Sequence, residues 1–363
     1  MNPLATERPP RATARPARRA RWCRGTRLLV AATALWAAFL ALHVLLAGNW
    51  WPWLVVETMP PPALVAVPVL LLALTPLARP VRRPLGAALL ALLLAGAPLA
   101  GVGPGAFTGS VTGGTGTGTG TVKVFSWNTD YWHMSDDPDA FYAYLRDQRA
   151  DIYLLQEYLY WKDGKPVRVD DLDRLRAAFP GYHVAAESEL VTLSRLPVTA
   201  TRLLDGADTD WRGSRILRTD IRIGAEVVSF YNIHLAVPID LERTPFSAGF
   251  LRFTREQHQR RQAELGALRA DLARNPLPAL AAGDFNSAWV PHLLRLEDGL
   301  ERRDPQGAPT AWSWPASGLA LPRMWRLDWL FSTDDVRVTG YRFRDGHGFS
   351  DHMAQDIRIS IQT

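Results

Sequence analysis

Three long stretches without a charged side chain limit what the N-terminal third of the chain can fold into. Residues 28–56, 58–78 and 84–122 contain no Asp, Glu, Lys or Arg, whereas charge is dense from Lys123 onward. A segment that crosses the hydrocarbon core of a bilayer needs about 20 apolar residues in a helix, because lipid offers the backbone no hydrogen-bonding partner. The pattern therefore predicts a membrane module followed by a soluble domain.

We predict three transmembrane helices within residues 28–100. They are Leu28–Ala47, Ala63–Ala78 and Leu85–Val102. Residues 1–27 carry eight Arg and one Glu, and the segment 79–84 carries three more Arg. Because basic segments stay in the cytoplasm, we predict a multi-pass protein of the cytoplasmic membrane with a basic cytoplasmic N-terminus and an extracellular soluble domain. A cleaved signal peptide is the alternative, but two further apolar segments follow the first.

Residues 101–121 consist mostly of Gly, Thr and Ser, a composition typical of flexible linkers. We expect them to tether the soluble domain, residues 122–363, while leaving it free to tilt. This domain carries 30 basic and 34 acidic residues, so its net charge is −4. Proteins that bind the phosphate backbone of a nucleic acid need a positively charged surface. The negative net charge of the domain therefore disfavours nucleic acid as a partner. The single Cys23 excludes a disulfide-stapled fold.

The soluble half alternates short apolar strands with amphipathic helices, which predicts an α/β fold of two sheets flanked by helices. Predicted strands cover residues 122–127, 151–156, 182–186, 190–194, 216–223, 227–235, 279–284, 326–331, 336–343 and 356–361, and predicted helices cover 139–149, 172–179 and 248–274. On the longest helix, Arg252, Arg255, Arg260 and Arg261 are predicted to form a solvated face.

Polar side chains stand at the ends of the predicted strands, in six short motifs. These are Asn128 in Ser-Trp-Asn, Glu157 in Leu-Gln-Glu, His234 in Asn-Ile-His, Asp284 and Asn286 in Gly-Asp-Phe-Asn, Asp328 in Leu-Asp-Trp, and Asp351 with His352 in Ser-Asp-His. Each motif alone also fits an ordinary turn or a satisfied buried histidine. Buried ionisable groups are costly unless paired, so six such sites favour one functional rim.

The residue types indicate phosphoryl hydrolysis with a divalent metal. Glu157, Asp351 and the amide oxygen of Asn128 are hard ligands that suit Mg²⁺ or Mn²⁺ rather than Zn²⁺. No organic cofactor is predicted.

The remaining motif residues suit acid–base catalysis. His234 and His352 are predicted to exchange protons and stabilise charge on phosphorus. Asp328 would orient His352, Asp284 would orient or deprotonate the attacking water, and Asn286 would hold a phosphoryl oxygen.

In this order the motifs resemble the endonuclease/exonuclease/phosphatase superfamily, the DNase I-like fold. The resemblance covers residues 122–363 and implies a four-layer α/β/β/α sandwich of two packed mixed sheets, a divalent metal, and the metal-binding and catalytic roles given above. In DNase-type members a glutamate pairs with the first histidine. Glu187 and Glu189 both lie near the corresponding position and neither is in register, so that role stays open.

The whole architecture resembles the VanJ-type teicoplanin-resistance membrane proteins. That resemblance implies hydrolysis of undecaprenyl pyrophosphate, with the bilayer and a lipid-linked phosphate as partners and no protein partner. Aromatic residues that follow the first two motifs are predicted to form an apolar rim for lipid: Tyr131, Trp132, Tyr158, Tyr160 and Trp161. An exported nuclease or phospholipid phosphodiesterase, and a non-catalytic binder of glycopeptide or cell-wall precursor, are the alternatives.

Overall fold

The computed structural model describes most of the chain: residues 22–102, 121–132, 137–163, 165–204, 215–240, 242–289, 299–307 and 310–362. Most of the basic N-terminal segment and of the predicted linker lies outside these residues. The N-terminal module contains α1 (Arg24–Leu46), α2 (Leu54–Glu57), α3 (Ala63–Ala73) and α4 (Arg82–Leu99), with 3₁₀ turns at Trp51–Trp53 and Thr75–Leu77.

Two of these helices, α1 and α4, are long and apolar enough to cross a membrane. Their 23 and 18 residues measure about 35 and 27 Å at 1.5 Å per residue. The predicted second transmembrane helix is shorter, because α3 ends at Ala73 and Pro76 lies in the 3₁₀ turn that follows. Proline lacks a backbone N–H and disfavours helix at the preceding residue. Three transmembrane helices are therefore not confirmed.

The apolar helices pack side by side, with α3 antiparallel to α1 and α4. Leu29, near the start of α1, belongs to one cluster with Leu85 of α4. Leu40, near the end of α1, belongs to another with Leu64 of α3 and Ala100 after α4. The C-terminal ends of α1 and α4 and the N-terminal end of α3 therefore lie together.

Two six-stranded sheets form the centre of the soluble domain. The strands are β1 (Val122–Asn128), β2 (Ile152–Gln156), β3 (Leu159–Lys162), β4 (Lys165–Arg168), β5 (His183–Glu187), β6 (Leu190–Ser194), β7 (Val198–Leu203), β8 (Ile216–Ile223), β9 (Glu226–His234), β10 (Ala279–Asp284), β11 (Glu301–Arg303), β12 (Asp328–Ser332), β13 (Val336–Arg344) and β14 (Ala354–Ile361). The first sheet has the order β13-β14-β1-β2-β6-β5, the second β11-β12-β10-β9-β8-β7, and β3 pairs only with β4. Both large sheets are mixed, since β1–β2 and β9–β10 are parallel pairs.

Helices cover the outer faces of both sheets. Phe141 of α5 (Pro138–Asp147) packs onto the first sheet, as does α6 (Leu172–Ala178). Leu265 of α7 (Ala248–Leu272) packs onto the second sheet.

The two sheets face each other across a buried core. Val124 and Leu154 of the first sheet belong to one cluster with Phe230 and Leu280 of the second. Because successive strand residues point to opposite faces, each strand supplies both this inner core and a helix-facing core. The soluble domain is thus a four-layer α/β/β/α sandwich.

Strand direction brings the motif residues to one edge of the sandwich. Asn128 pairs with Gln156 at the ends of parallel strands, and Asp284 pairs with His234 in the same way. Asp328 begins an antiparallel strand and also pairs with Asp284. Parallel neighbours end, and antiparallel neighbours begin, at the same edge of a sheet.

Gly283 offers a test of this packing, because it precedes the central aspartate with φ +142° and a Cβ there would lie 2.0 Å from the carbonyl oxygen of Ile233. We expect Gly283→Ala to lower the free energy of unfolding by about 3 kcal/mol, measured by thermal unfolding of the detergent-solubilised protein. The matched control is Gly266→Ala in α7, where a Cβ meets nothing within 4 Å. Equal unfolding temperatures for the two variants would contradict this packing.

Candidate active site

The eight residues predicted from the motifs lie together, with Asp284 at their centre. Its Oδ2 accepts a hydrogen bond from Nδ2 of Asn128 at 3.0 Å. The same oxygen lies 3.7 Å from Nε2 of His234 and 3.6 Å from Nε2 of His352. One buried carboxylate is therefore flanked by two imidazoles, an arrangement suited to moving a proton.

His234 pairs with Glu189, the glutamate whose identity the sequence leaves open. Its Nδ1 lies 2.8 Å from Oε1 of Glu189, which also forms an ion pair with Arg215. Burial alone would raise the pKa of Glu189, but Arg215 and His234 hold it at about 2. Burial opposes protonation of His234, yet Glu189 and Asp284 raise its pKa. Glu189 therefore orients the ring and favours its cationic form.

The sequence leaves the choice between Glu187 and Glu189 open and gives no sign of Arg215, because Glu189 and Arg215 both precede strands. The signal read from the sequence is a polar residue that follows an apolar strand. Glu189 comes just before β6, which runs antiparallel to β2 with Leu190 opposite Gln156. Antiparallel pairing of these two strands, which are not consecutive in the chain, places Glu189 beside Glu157.

His352 forms a second pair, with Asp328. Its Nδ1 lies 2.9 Å from Oδ2 of Asp328. Two buried hydroxyls hold the pair: Oγ of Ser313 accepts from the backbone N–H of Asp328 at 3.2 Å, and Oγ of Ser350 accepts from that of His352 at 2.9 Å. Burial again opposes the charge, but Asp328 and Asp284 hold the pKa of His352 well above its usual value. This favours the proton-donating form.

The three predicted metal ligands lie beside this centre. Nδ2 of Asn128 donates to Oε1 of Glu157 at 3.1 Å, while its Oδ1 accepts from the backbone N–H of Asp130 at 3.0 Å. Oδ2 of Asp351 accepts from Nε1 of Trp314 at 2.7 Å. The nitrogen of Asn128 thus faces the carboxylates, so its predicted role as an oxygen ligand requires rotation of the amide.

Buried negative charge makes the site fit a divalent cation. The carboxylates of Asp130, Glu157, Asp284 and Asp351 all line one pocket. Burial, together with Asp351 and Glu157, raises the pKa of Asp130 to about 7, and burial raises that of Glu157. Carboxylate oxygens are the donors that Mg²⁺ and Mn²⁺ prefer, and a cation would relieve this repulsion. Asp130 was not predicted, although it follows Asn128 by only two residues.

A second set of possible metal ligands differs from the predicted set. Asp284, Asp328 and His352 place one donor atom each within 4.8 Å of one another. Asp328 and His352 already contact each other at 2.9 Å. We therefore assign these two to an acid–base pair, and Asn128, Glu157 and Asp351 remain the predicted metal ligands.

Three site residues have left-handed backbone, with φ of 48° at Asp130, 60° at Glu157 and 49° at Asn286. Such conformations are uncommon outside glycine and gather at functional sites. Local bonds hold two of them, because Oδ1 of Asn128 accepts from Asp130 and Oδ1 of Asp284 accepts from the N–H of Asn286 at 2.7 Å. The strain turns these side chains toward the pocket.

The pocket has a volume of about 490 Å³ and takes one wall from the N-terminal module. Leu54, Glu57 and Thr58, which lie between α1 and α3, line it together with Asp284 and His352. The catalytic cavity is therefore composite, built by the soluble domain and by the segment that joins two apolar helices.

Hydrogen bonds and apolar contacts hold the two parts together. Nε1 of Trp289 donates to the carbonyl of Glu57 at 2.7 Å, and Nε1 of Trp325 donates to that of Thr58 at 3.0 Å. Trp289 also packs with Leu40 and Leu64 of the helices. The expectation of a soluble domain free to tilt is therefore wrong, because these contacts dock it against the helix ends.

Arg261 corrects another expectation, since it is buried rather than solvated. Its Nη1 donates to the carbonyl of Ala236 at 2.6 Å and its Nη2 to that of Phe285 at 3.1 Å. Burial lowers the pKa of Arg261, while Glu57 and Glu264 oppose that effect. This side of α7 faces the site. The guanidinium links the segment that follows β9 to the segment that follows β10.

The predicted aromatic rim is only partly formed. Trp132 and Tyr158 are fully buried and pack edge to face at 4.9 Å, and Tyr160 packs against the same core. Tyr131 lines the pocket and contacts the exposed Trp161 at 5.5 Å. The rim therefore consists of these last two residues.

Replacing Glu157 tests whether the buried carboxylates form a cation site. We expect Glu157→Gln to be at least as stable as the wild type in EDTA, because it removes one of several converging negative charges. At a Mg²⁺ concentration about a hundredfold above the Kd, the wild type gains about 2.7 kcal/mol and the variant much less. Thermal unfolding with and without Mg²⁺ measures both effects. An equal Mg²⁺ shift in the two proteins would contradict the assignment.

One family model and several solved structures are similar to this chain. The model of the Endonuclease/Exonuclease/phosphatase family matches residues 125–352. Similar solved structures include a family protein from Leptotrichia buccalis (17% identity, 67% of this chain and 100% of that one, TM-score 0.47) and the AP endonuclease LMAP from Leishmania major (16%, 67% and 89%, TM-score 0.47). No curated protein matches significantly. Since the family match covers more than half of the chain and includes all eight motif residues, the chain belongs to the endonuclease/exonuclease/phosphatase family.

Proposed function

We propose that this protein is a membrane-anchored hydrolase of phosphoric esters or anhydrides that depends on a divalent cation. The substrate that we favour is a lipid-linked pyrophosphate such as undecaprenyl pyrophosphate, hydrolysed outside the cytoplasmic membrane during recycling of the cell-wall carrier. Family membership supports hydrolysis of a phosphoester bond. The pocket lies next to the apolar helices, and this position supports a lipid as the molecule that contains the phosphoester or anhydride bond.

The surface of the helical module supports membrane anchoring. Leu28, Leu35 and Leu45 of α1 are 70%, 71% and 66% exposed. Further leucines are exposed on α3 and α4, so apolar surface extends over all three helices. Apolar patches of this extent are rare on proteins surrounded by water and fit a lipid environment.

The helix arrangement supports an external active site. Arg79, Arg82 and Arg83 lie at the end of the helix bundle away from the soluble domain, since α3 ends and α4 begins there. Residues 47–63 form the end next to the soluble domain. They contain one Asp, Glu, Lys or Arg residue, which is Glu57. Basic segments remain in the cytoplasm, so the pocket would face the outside.

One observation carries the proposal: the catalytic carboxylate is held close to the ends of the apolar helices. Asp284 lies five residues before Trp289, whose ring packs against α1 and α3. Five residues span at most roughly 17 Å. A site at this height above a bilayer meets the headgroups of lipids, where a lipid-linked phosphate resides.

The residues at the centre fit hydrolysis by water. Asp284 accepts the proton of an attacking water, with an imidazole on either side of it. His352, kept cationic by Asp328, donates a proton or stabilises the phosphoryl oxygens, and His234 does the same from the opposite side. A divalent cation bound at the predicted ligands would neutralise the charge of the phosphate groups.

The proposal predicts phosphate release from undecaprenyl pyrophosphate by the purified full-length chain in detergent with Mg²⁺, and none in EDTA. We expect Asp284→Asn to lower the rate by about 10³-fold, since it removes the proton acceptor. Glu189→Gln should lower it by about 10²-fold, because His234 loses the carboxylate that fixes it. The matched control is Glu187→Gln, an exposed carboxylate two residues away, which should leave the rate unchanged.

Plasmid DNA offered in parallel separates the other family activities. The soluble half has a net charge of −4, so we expect no nicking of the plasmid. Nicked DNA with intact lipid would replace the proposed function with that of an anchored nuclease. Lipid that binds without phosphate release would indicate a non-catalytic binder.

A further inference from the structure

Three apolar side chains line the same pocket as the candidate catalytic residues, and we propose that they hold the hydrocarbon chain of the substrate next to its phosphate. Leu54 comes from α2, Val237 from the segment after β9, and Leu321 from the segment between β11 and β12. We call these three residues the chain slot. This inference rests on the proposed function and adds which part of the substrate the protein selects.

The lining of the pocket combines two kinds of side chain. Asp284, Asp351 and His352 are ionisable, whereas the three side chains of the chain slot are purely hydrocarbon. Cavities that take small ligands are mostly apolar, with a few polar groups that fix orientation, and measure roughly 300–1,000 Å³. A cavity of about 490 Å³ with this division fits a molecule that is charged at one end and apolar at the other.

Two of the three slot residues are open to solvent where they line the pocket. Val237 and Leu321 are 43% and 53% exposed, whereas Leu54 is buried. An apolar chain that displaced water from these side chains would gain free energy in proportion to the area covered.

Continuity with the helical module identifies the occupant as a lipid chain. Leu54 belongs to the segment between α1 and α3, directly before the apolar run that begins at Ala63. The domain that supplies Val237 and Leu321 packs against these helix ends through Trp289. A chain bound at Leu54 thus lies beside the helix ends, whereas a water-soluble ester would leave the slot unfilled.

Two pyrophosphates that differ only in chain length test the chain slot. Farnesyl pyrophosphate has 15 carbons and isopentenyl pyrophosphate has five, with the same reacting group. For the full-length protein in detergent with Mg²⁺, we expect kcat/KM to be at least about 100-fold higher for the farnesyl compound. Val237→Ser and Leu321→Ser should each lower the farnesyl value about tenfold and leave the isopentenyl value unchanged.

Leu319→Ser is the matched control, because Leu319 is 48% exposed, lies two residues from Leu321 and does not line the pocket. It should leave both values unchanged, and thermal unfolding should be the same for all three variants. Equal kcat/KM for the two pyrophosphates in the wild type would overturn the chain slot while leaving the proposed hydrolase intact. Equal losses on both compounds in the serine variants would also overturn it. If none of the three pyrophosphates, undecaprenyl pyrophosphate included, released phosphate, both the proposed function and the slot would be overturned.

Discussion

The contact between the loop after β10 and the segment joining α1 to α3 decides where this catalytic site works. The indole N–H of Trp289 donates to the carbonyl of Glu57 inside an apolar cluster. Breaking such a buried bond leaves both groups without water and costs about 1–3 kcal/mol. Because this loop begins at Asp284, the same contact fixes the pocket beside the helix ends. A tether of glycine and threonine alone would let the pocket face in any direction.

Beneath the pocket, polar groups lock the two sheets to each other. Nε2 of Gln156 donates to Oδ1 of Asn232 at 2.7 Å, and Nδ2 of Asn232 donates to the carbonyl of Leu155 at 3.0 Å. These bonds cross from one sheet to the other, between Gln156 at the end of β2 and Asn232, two residues before the end of β9. Catalytic groups held this way keep their spacing when ligands arrive or leave. The left-handed backbone conformations and the clustered carboxylates lie at the pocket instead, where a cation and a phosphate group would bind.

The strand ends that carry the candidate site residues could be predicted, because buried strands appear in the sequence as apolar runs. The runs before Asn128 and Asp284 are of this kind, and the residue that follows each run is polar. Four strands were not predicted, namely β3, β4, β7 and β11, because they are largely exposed or only partly buried and show no clear alternation.

Partners that depend on tertiary contact could not be predicted. Glu189 reaches His234 only because two hairpins from different sheets meet. A fully buried arginine such as Arg261 contradicts the usual preference of its residue type, and its burial depends on carbonyl and carboxylate groups that tertiary contact brings to it. Docking of the soluble domain likewise depends on indole N–H groups more than 200 residues away from the carbonyls they meet.

The depth of the pocket mouth in a bilayer tests most directly whether the pocket lies at the lipid surface. With Cys23 replaced by serine, a single spin label can be placed at Leu321 beside the pocket or at Ala225. Ala225 lies in the turn between β8 and β9, about 30 Å of strand away from His234. In lipid bilayers, relaxation by oxygen, which concentrates in lipid, is compared with relaxation by a water-soluble nickel complex. If the pocket mouth lies at the lipid surface, the label at 321 favours oxygen and the label at 225 favours nickel. Equal, water-like behaviour of both labels would contradict it.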